Sequence, residues 1–208
     1  MKKQSTEDRI LASAKKVFYQ KGLKGARMQE IADDANVNKA MLHYYYRSKE
    51  KLFDKVFEQS INRVTPVLLA VFAEEVSLED KIAHLVEVFT ELFLKEPYLS
   101  NFIVNELTQN PDKLYTSIFA SEEGMIGEVI PVFNRLLSEG IEQGIVSDDI
   151  KPAELIVNIM SMCLLPIMAK PVLQQILDID DTRMDRFLRR RKETVTRFVL
   201  AAIKPITD

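Results

Sequence analysis

The sequence predicts an all-helical protein, and three observations carry that reading. Apolar residues recur at helical spacings along almost the whole 208-residue chain. Only 6 residues are Gly and 8 are Pro, too few for a turn-dense all-β protein. No window alternates apolar and polar residues as a half-buried strand does, and no repeat or low-complexity tract interrupts the pattern.

Ser5-Thr6-Glu7-Asp8 supplies a hydroxyl cap and two acids, which start a first helix over about 6–21. Ile10, Leu11, Ala14, Val17 and Phe18 form its apolar stripe, and Lys21-Gly22 ends it with a residue that enters positive φ freely. A short helix runs from Met28 to Ala35, with Met28, Ile31, Ala32 and Ala35 facing inward. Asn36 tolerates a left-handed turn, and Asn38 caps the next helix, Lys39 to Tyr45. Two short helices joined this closely form a helix-turn-helix. Ser48 opens a longer helix carrying Leu52, Phe53, Val56, Phe57 and Ile61, bent at Pro66. Ser77 caps a helix through Ile82, Leu85, Val86, Phe89, Leu92 and Phe93, broken at Lys95-Glu96-Pro97. Helices follow over 98–109, closed by Asn110-Pro111, and over 123–143, kinked at Pro131; residues 112–121 are ambiguous. A helix over 152–170 ends near Pro171, and the last runs from Thr182 to about Lys204. The expected architecture is an N-terminal three-helix bundle with a helix-turn-helix, residues 1–50, followed by a larger C-terminal helical region, residues 51–208, with about nine helices in all.

Composition narrows the function. Hydrophobic residues are 47% and charged residues 28%, the balance of an ordinary globule. A lone Cys163 excludes an internal disulfide framework and any multi-cysteine metal site, and two histidines, His43 and His84, exclude a three-histidine site. No metal and no cofactor is expected. The longest apolar stretch, Ile159 to Ala169, carries Ser161 and Pro166 and falls short of the ~20 residues that span a bilayer. The N-terminus turns acidic where a signal peptide turns apolar, so the expected setting is the cytoplasm, away from membranes. No GxSxG, HExxH, CxxC or phosphate-cradling glycine loop is present, so no catalytic residue is assigned and no enzyme is expected. The alternatives are an enzyme built on the unpatterned carboxylates and a helical protein-interaction module without DNA binding. A steep salt dependence of duplex binding separates both from a DNA-binding protein.

The net charge of −3 hides an asymmetry. Residues 1–60 hold 13 Lys and Arg against 8 Asp and Glu, a balance of +5, which leaves −8 for the remainder. A basic end on an acidic body suits a first segment that meets a polyanion.

Residues 27–53, RMQEIADDANVNKAMLHYYYRSKEKLF, bring these signals together. The Ile31-Ala32 pair, the Ala35-Asn36-Val37-Asn38 turn, and Leu42-His43-Tyr44-Tyr45-Tyr46 followed by Ser48-Lys49-Glu50-Lys51-Leu52-Phe53 resemble the DNA-binding segment of the TetR family of bacterial transcriptional regulators. Gly22 and Gly25 match too, and the resemblance is close over about residues 6–57. It implies a regulator, by the family's habit a ligand-responsive repressor, that binds a palindromic operator as a homodimer. Ala26-Arg27 stands where the family commonly has Thr or Ser, Met41 where Thr is common, and His43 where Tyr is common, so base preference does not transfer from relatives.

The residues themselves fit that role. Lys39, Ala40 and Met41 lie at the N-terminal end of a recognition helix, where side chains meet base edges. Ala40 permits close backbone approach, Met41 suits a thymine methyl, and Lys39 reaches a guanine edge or a phosphate. Asn38 caps the helix or donates to a phosphate. His43, Tyr44 and Tyr45 offer donors to sugar–phosphate or base edges, while Lys49 and Arg27 bind flanking phosphates. Ile31, Leu42 and Tyr46 are assigned to the core.

For the C-terminal region the resemblance implies a ligand-binding and dimerisation domain. Family precedent places the interface on the last two long helices, with Met160, Leu164, Phe187, Leu188, Val195, Phe198 and Val199 as candidates, and the monomer core as the competing role for each. Phe72, Phe89, Phe93, Phe102, Phe119, Met125, Phe133 and Met160 are the candidates to line an effector cavity, with Asn105 and Glu106 as polar anchors. Such a lining points to a hydrophobic or amphipathic small molecule. The run Arg189-Arg190-Arg191-Lys192 is read as a solvated helix face rather than a second DNA site.

Overall fold

Short polar side chains start the helices. Ser5 Oγ accepts from the Asp8 N–H at 3.0 Å while Asp8 Oδ2 accepts from the Ser5 N–H at 3.1 Å, a reciprocal capping box. Ser77 Oγ accepts from the Asp80 N–H, and Asp180 Oδ1 from the Arg183 N–H. In a computed structural model that describes residues 5–115 and 126–205, these caps open α1 (Thr6–Gly25), α5 (Leu78–Lys95) and α11 (Asp181–Ile203). Between them lie α2 (Met28–Asp34), α3 (Lys39–Tyr45), α4 (Lys49–Ala73), α6 (Pro97–Gln109), α7 (Pro111–Tyr115), α8 (Ile126–Glu142), α9 (Pro152–Met168) and α10 (Lys170–Leu177). No strand occurs among the described residues.

Proline explains where the boundaries differ from the sequence reading. Pro97, Pro111 and Pro152 each occupy the first position of a helix, where a missing N–H costs nothing. Pro171 does the same one residue into α10, so the stop expected there is also a start, and α10 is an addition to the expected set. A left-handed Asp178, at φ 51°, closes it. The helix of α4 continues through Pro66. Within α1, Gly22 adopts φ 65° and ψ −179°, a region close to exclusive to glycine, and splits off a final turn, Leu23–Gly25.

The chain forms two compact units. Of the described residues, the first comprises 5–64, 101–115 and 126, the second 65–100 and 127–205. Both α4 and α6 contribute residues to each. In the first unit Ile10, Ala14, Phe18, Ile31, Ala32, Leu42 and Leu52 are fully buried. Phe102 of α6 packs its ring on Tyr19, Phe53 and Phe57 at centroid distances of 5.0, 5.3 and 5.8 Å. In the second unit α5, α9 and α11 pack together through Leu85, Val86, Ile159, Cys163, Met184, Leu188, Val195 and Val199. Burial pushes the Cys163 thiol up, which keeps it a protonated core group.

In the basic run of α11, Arg189 and Arg190 are exposed, while Arg191 and Lys192 are engaged within their own unit. Lys192 Nζ lies 2.6 Å from Glu87 Oε1, and Arg191 donates to the Met162 carbonyl at 3.1 Å. No single helix among the described residues is long and apolar enough to cross a membrane.

Charge pairing fastens α1 to α2. Lys16 Nζ sits 2.5 Å from Asp34 Oδ1, and Lys21 Nζ 2.6 Å from Glu30 Oε1. Hydrogen bonds from Lys16 and Ser13 hold the Asp34 carboxyl below its ordinary 3.8. A depressed folded value means the stabilisation is present above 3.8 and is lost as the pH falls through the folded value. Asp34→Asn is therefore expected to flatten the acid limb of the Tm–pH profile below pH 3.8 and to leave its shape at neutral pH unchanged, as followed by thermal melts.

Candidate nucleic-acid interface

The turn between α2 and α3 is fixed by backbone bonds that need one left-handed residue. Asn36 supplies it at φ 52°. The Asn36 and Val37 N–H groups donate to the Asp33 and Ala32 carbonyls at 3.1 and 3.0 Å. The chain then straightens at Asn38, whose Oδ1 accepts from the Met41 N–H at 2.7 Å. That bond uses the amide oxygen for capping and leaves the amide nitrogen as a donor.

One side chain of α3 is buried, Leu42 at 0% exposure. Lys39, Ala40, Met41, His43, Tyr44 and Tyr45 are all exposed, Tyr44 at 82%. Tyr44 and Tyr45 meet edge to face with centroids 5.6 Å apart. Two exposed phenols and a methionine beside a lysine and an imidazole make a surface of donors and apolar contacts, with no acid in the helix. Tyr46 behind it is buried, and its hydroxyl donates to Glu7 Oε1 at 2.9 Å. Burial and that carboxylate push its phenol pKa up, so it remains a neutral donor tying α3 to α1.

The flanking cations divide. Arg27 is exposed at the start of α2, with no capping bond from its side chain. Lys49, at the start of α4, is half-buried and donates to the Ala26 carbonyl at 3.1 Å. Ammonium carries three donors, so two remain for a phosphate. Arg47, exposed between α3 and α4, belongs to the same rim and was not among the expected contacts. Its signal in the sequence was its place one residue before the Ser48 cap.

The residues expected around an effector fall in both units. Phe72 packs on Phe133 at 5.9 Å and Phe89 on Phe93 at 6.4 Å, all buried in the second unit, where Met160 is half-buried. Phe102, Asn105 and Glu106 belong to the first unit instead. Glu106 is 1% exposed, and both its oxygens already accept hydrogen bonds from protein donors. Phe119 and Met125 lie outside the described residues. A surface groove of about 690 Å³ between α5 and α11, lined by residues that include His84, Glu87, Lys192, Arg197 and Leu200, contains none of these side chains. Among the described residues no cluster of His, Cys, Asp and Glu is placed to hold a metal.

Of the candidate interface residues, Leu188, Val195 and Val199 are buried within their own unit at 3% exposure or less, the competing core role that the sequence left open for them. They project from α11 toward α5 and α9. Phe198 is 64% exposed, and Met160, Leu164 and Phe187 are half-buried.

The Asn38 cap is a test of how α3 is held. Asn38→Ala should lower unfolding stability by about 1 kcal/mol, read from denaturant curves, and Asn38→Ser should restore most of it.

The profile of bacterial regulatory proteins of the tetR family matches residues 10–56, and that of the tetracyclin repressor-like C-terminal domain matches residues 79–199. The HTH-type transcriptional repressor NicS of Pseudomonas putida is 30% identical over 162 residues, covering 76% of this chain and 74% of that protein. The fold is shared with the fatty acid degradation regulator FadR of Bacillus halodurans, at TM-score 0.70 and 20% identity over 96% of this chain and 97% of that one. It is shared also with FadR of Bacillus subtilis in complex with stearoyl-CoA, at TM-score 0.70 and 16% identity over 94% and 98%. The chain belongs to the tetR family of bacterial regulatory proteins and is a DNA-binding transcriptional regulator rather than an enzyme.

Proposed function

We propose that this regulator is a cytoplasmic repressor that binds a pseudo-palindromic duplex operator as a homodimer and releases it on binding an amphipathic small molecule. The observation that supports DNA reading best is α3 itself, a helix that buries Leu42 and offers its other side chains to solvent. In this reading Lys39, Ala40 and Met41 contact base edges, Asn38 donates to a phosphate, and His43, Tyr44 and Tyr45 reach base edges or the sugar–phosphate. Arg27, Lys49 and Arg47 hold the flanking phosphates. Repression follows the similarity to NicS, which is named a repressor.

One seven-residue helix contacts few base pairs, so two copies related by a dyad gain both affinity and register. The outward sides of α9 and α11 are the proposed interface. Val157 and Leu165 of α9 and Phe198 of α11 are exposed at 57%, 64% and 64%, and Met160, Leu164 and Phe187 flank them.

For the effector, the buried Phe72, Phe89, Phe93 and Phe133 favour an apolar body. The stearoyl-CoA bound by a protein of the same fold is a long-chain example of such chemistry. Effector binding shifts α4 and with it the separation of the two recognition helices, so that both half-sites are no longer engaged together. A hundredfold loss of operator affinity needs ~2.7 kcal/mol of differential binding.

Two measurements check this. Affinity for a duplex recovered by selection from a random pool should fall steeply with salt, at about −0.9 in slope per phosphate neutralised. Lys49→Ala should weaken all sequences alike and reduce that slope by about 1, whereas Met41→Ala should change the preferred base at one position per half-site. If both variants bind as wild type does, α3 is not the groove helix. Stearoyl-CoA titrated into the complex should release the duplex; tight binding without release would discard the proposed coupling.

A further inference from the structure

We propose that the connector formed by α10 and the turn into α11 docks in the groove between α5 and α11 of a second copy of this chain. This rests on the homodimer reading above and names an arm that the proposed α9 and α11 interface does not include.

The connector exposes apolar surface. None of the eight residues of α10 is buried. Val172, Ile176 and Leu177 are exposed at 57%, 71% and 43%, and Val172 and Ile176, one turn apart, share a side of the helix. Exposed aliphatic side chains clustered in this way mark an interaction surface. Acids follow at once: Asp178, Asp180 and Asp181 are all exposed. Asp180 uses one oxygen to cap the Arg183 N–H and Asp181 uses one for Gln174, while Asp178 makes the left-handed turn at φ 51°. Lys170 fastens α10 to α11, with its Nζ 2.8 Å from Asp185 Oδ1 and 3.7 Å from Asp181 Oδ1. The apolar and acidic groups are thus presented on a fixed projection, which lowers the ordering cost of docking.

The groove is its counterpart. Its volume is about 690 Å³, and the carbon of Ala83, Leu200 and Ala201 lines it. Two of its charged pairs are internal: Lys192 lies 2.6 Å from Glu87, and His84 lies 2.6 Å from Glu74. Glu193, Arg197 and Lys204 remain on the lining, and neither of these two cations forms an ion pair among the described residues. A positive excess therefore sits beside apolar surface, in a part of the chain that is acidic as a whole. Aliphatic groups carrying carboxylates complement it in both respects, and the connector has both. A small amphipathic anion would suit the groove equally but would leave the exposed side chains of α10 without a role.

One chain cannot make this contact with itself. Asp181 and Arg197 lie on the same helix, and at 1.5 Å per residue they stand about 24 Å apart along its axis. A second copy removes the obstacle. A dyad that sets two α11 helices antiparallel brings the Asp178–Asp181 end of each beside the Arg197–Lys204 end of the other, so two identical contacts form together and the assembly closes. The surface is also continuous with the proposed interface. Ala201 in the groove and Phe198 on the outward side are three residues apart on α11, neighbours on a helix surface.

The test uses full-length protein with Ile176→Cys and Ala201→Cys, singly and together, at two exposed positions; Cys163 is buried and stays. Mild oxidation with copper phenanthroline should give at least about tenfold more covalent dimer from the double variant than from either single variant, because docking raises the effective concentration of one thiol at the other. In a second measurement, iodoacetamide should alkylate Ala201→Cys about tenfold faster once Ile176→Asp is added, because the arm no longer covers the thiol. A dimeric wild type whose double variant gives no excess of covalent dimer would overturn the proposal. Equal alkylation with and without Ile176→Asp would overturn it too, and the groove would then be open to a small amphipathic anion or to another protein. A wild type that sediments as a monomer at micromolar concentration would refute the homodimer reading and the arm with it.

Discussion

Leu42 is the anchor on which the proposed DNA-reading surface depends. A helix of seven residues has no independent stability in water. Its direction is fixed by what one side chain buries and by how the chain enters it. Leu42 supplies the burial, and Asn36 and Asn38 supply the entry, the first through its left-handed backbone and the second through its cap. Once Leu42 points into the bundle of α1, α2 and the start of α4, helical geometry leaves the side of Lys39, Ala40, Met41, Tyr44 and Tyr45 toward solvent.

The same economy recurs in the electrostatics. Part of the positive charge of the first sixty residues is taken up in pairs with Asp34 and Glu30, which fasten α1 to α2. Arg27, Lys39 and Arg47 remain on the exposed rim around α3, with Lys49 shared between the turn and solvent. The acidic body then discourages the rest of the molecule from lying on a polyanion, which directs encounter to one end of the chain.

Much of this was legible in the sequence because the signals are local. Ser5, Asn38 and Ser77 cap because their side chains reach the backbone a turn away, and Asn36 turns because few other residues accept its conformation. What was not legible is set by partners distant in sequence. Glu106 reads as a polar anchor on an amphipathic helix until it is seen to lie against Leu23. Leu188, Val195 and Val199 read equally well as core or interface, since helical spacing gives a face but not what covers it. Pro171 was read only as a stop, although proline both ends one helix and begins the next.

The placement of α3 against duplex is the claim on which the rest stands, and hydroxyl-radical footprinting of the full-length protein tests it directly. On binding a selected duplex, Met41, His43, Tyr44 and Tyr45 should lose most of their reactivity, while Phe198 on α11 stays as reactive as in the free protein. Equal reactivity of the four α3 side chains in free and bound protein would contradict the account, because the helix would then not face the DNA.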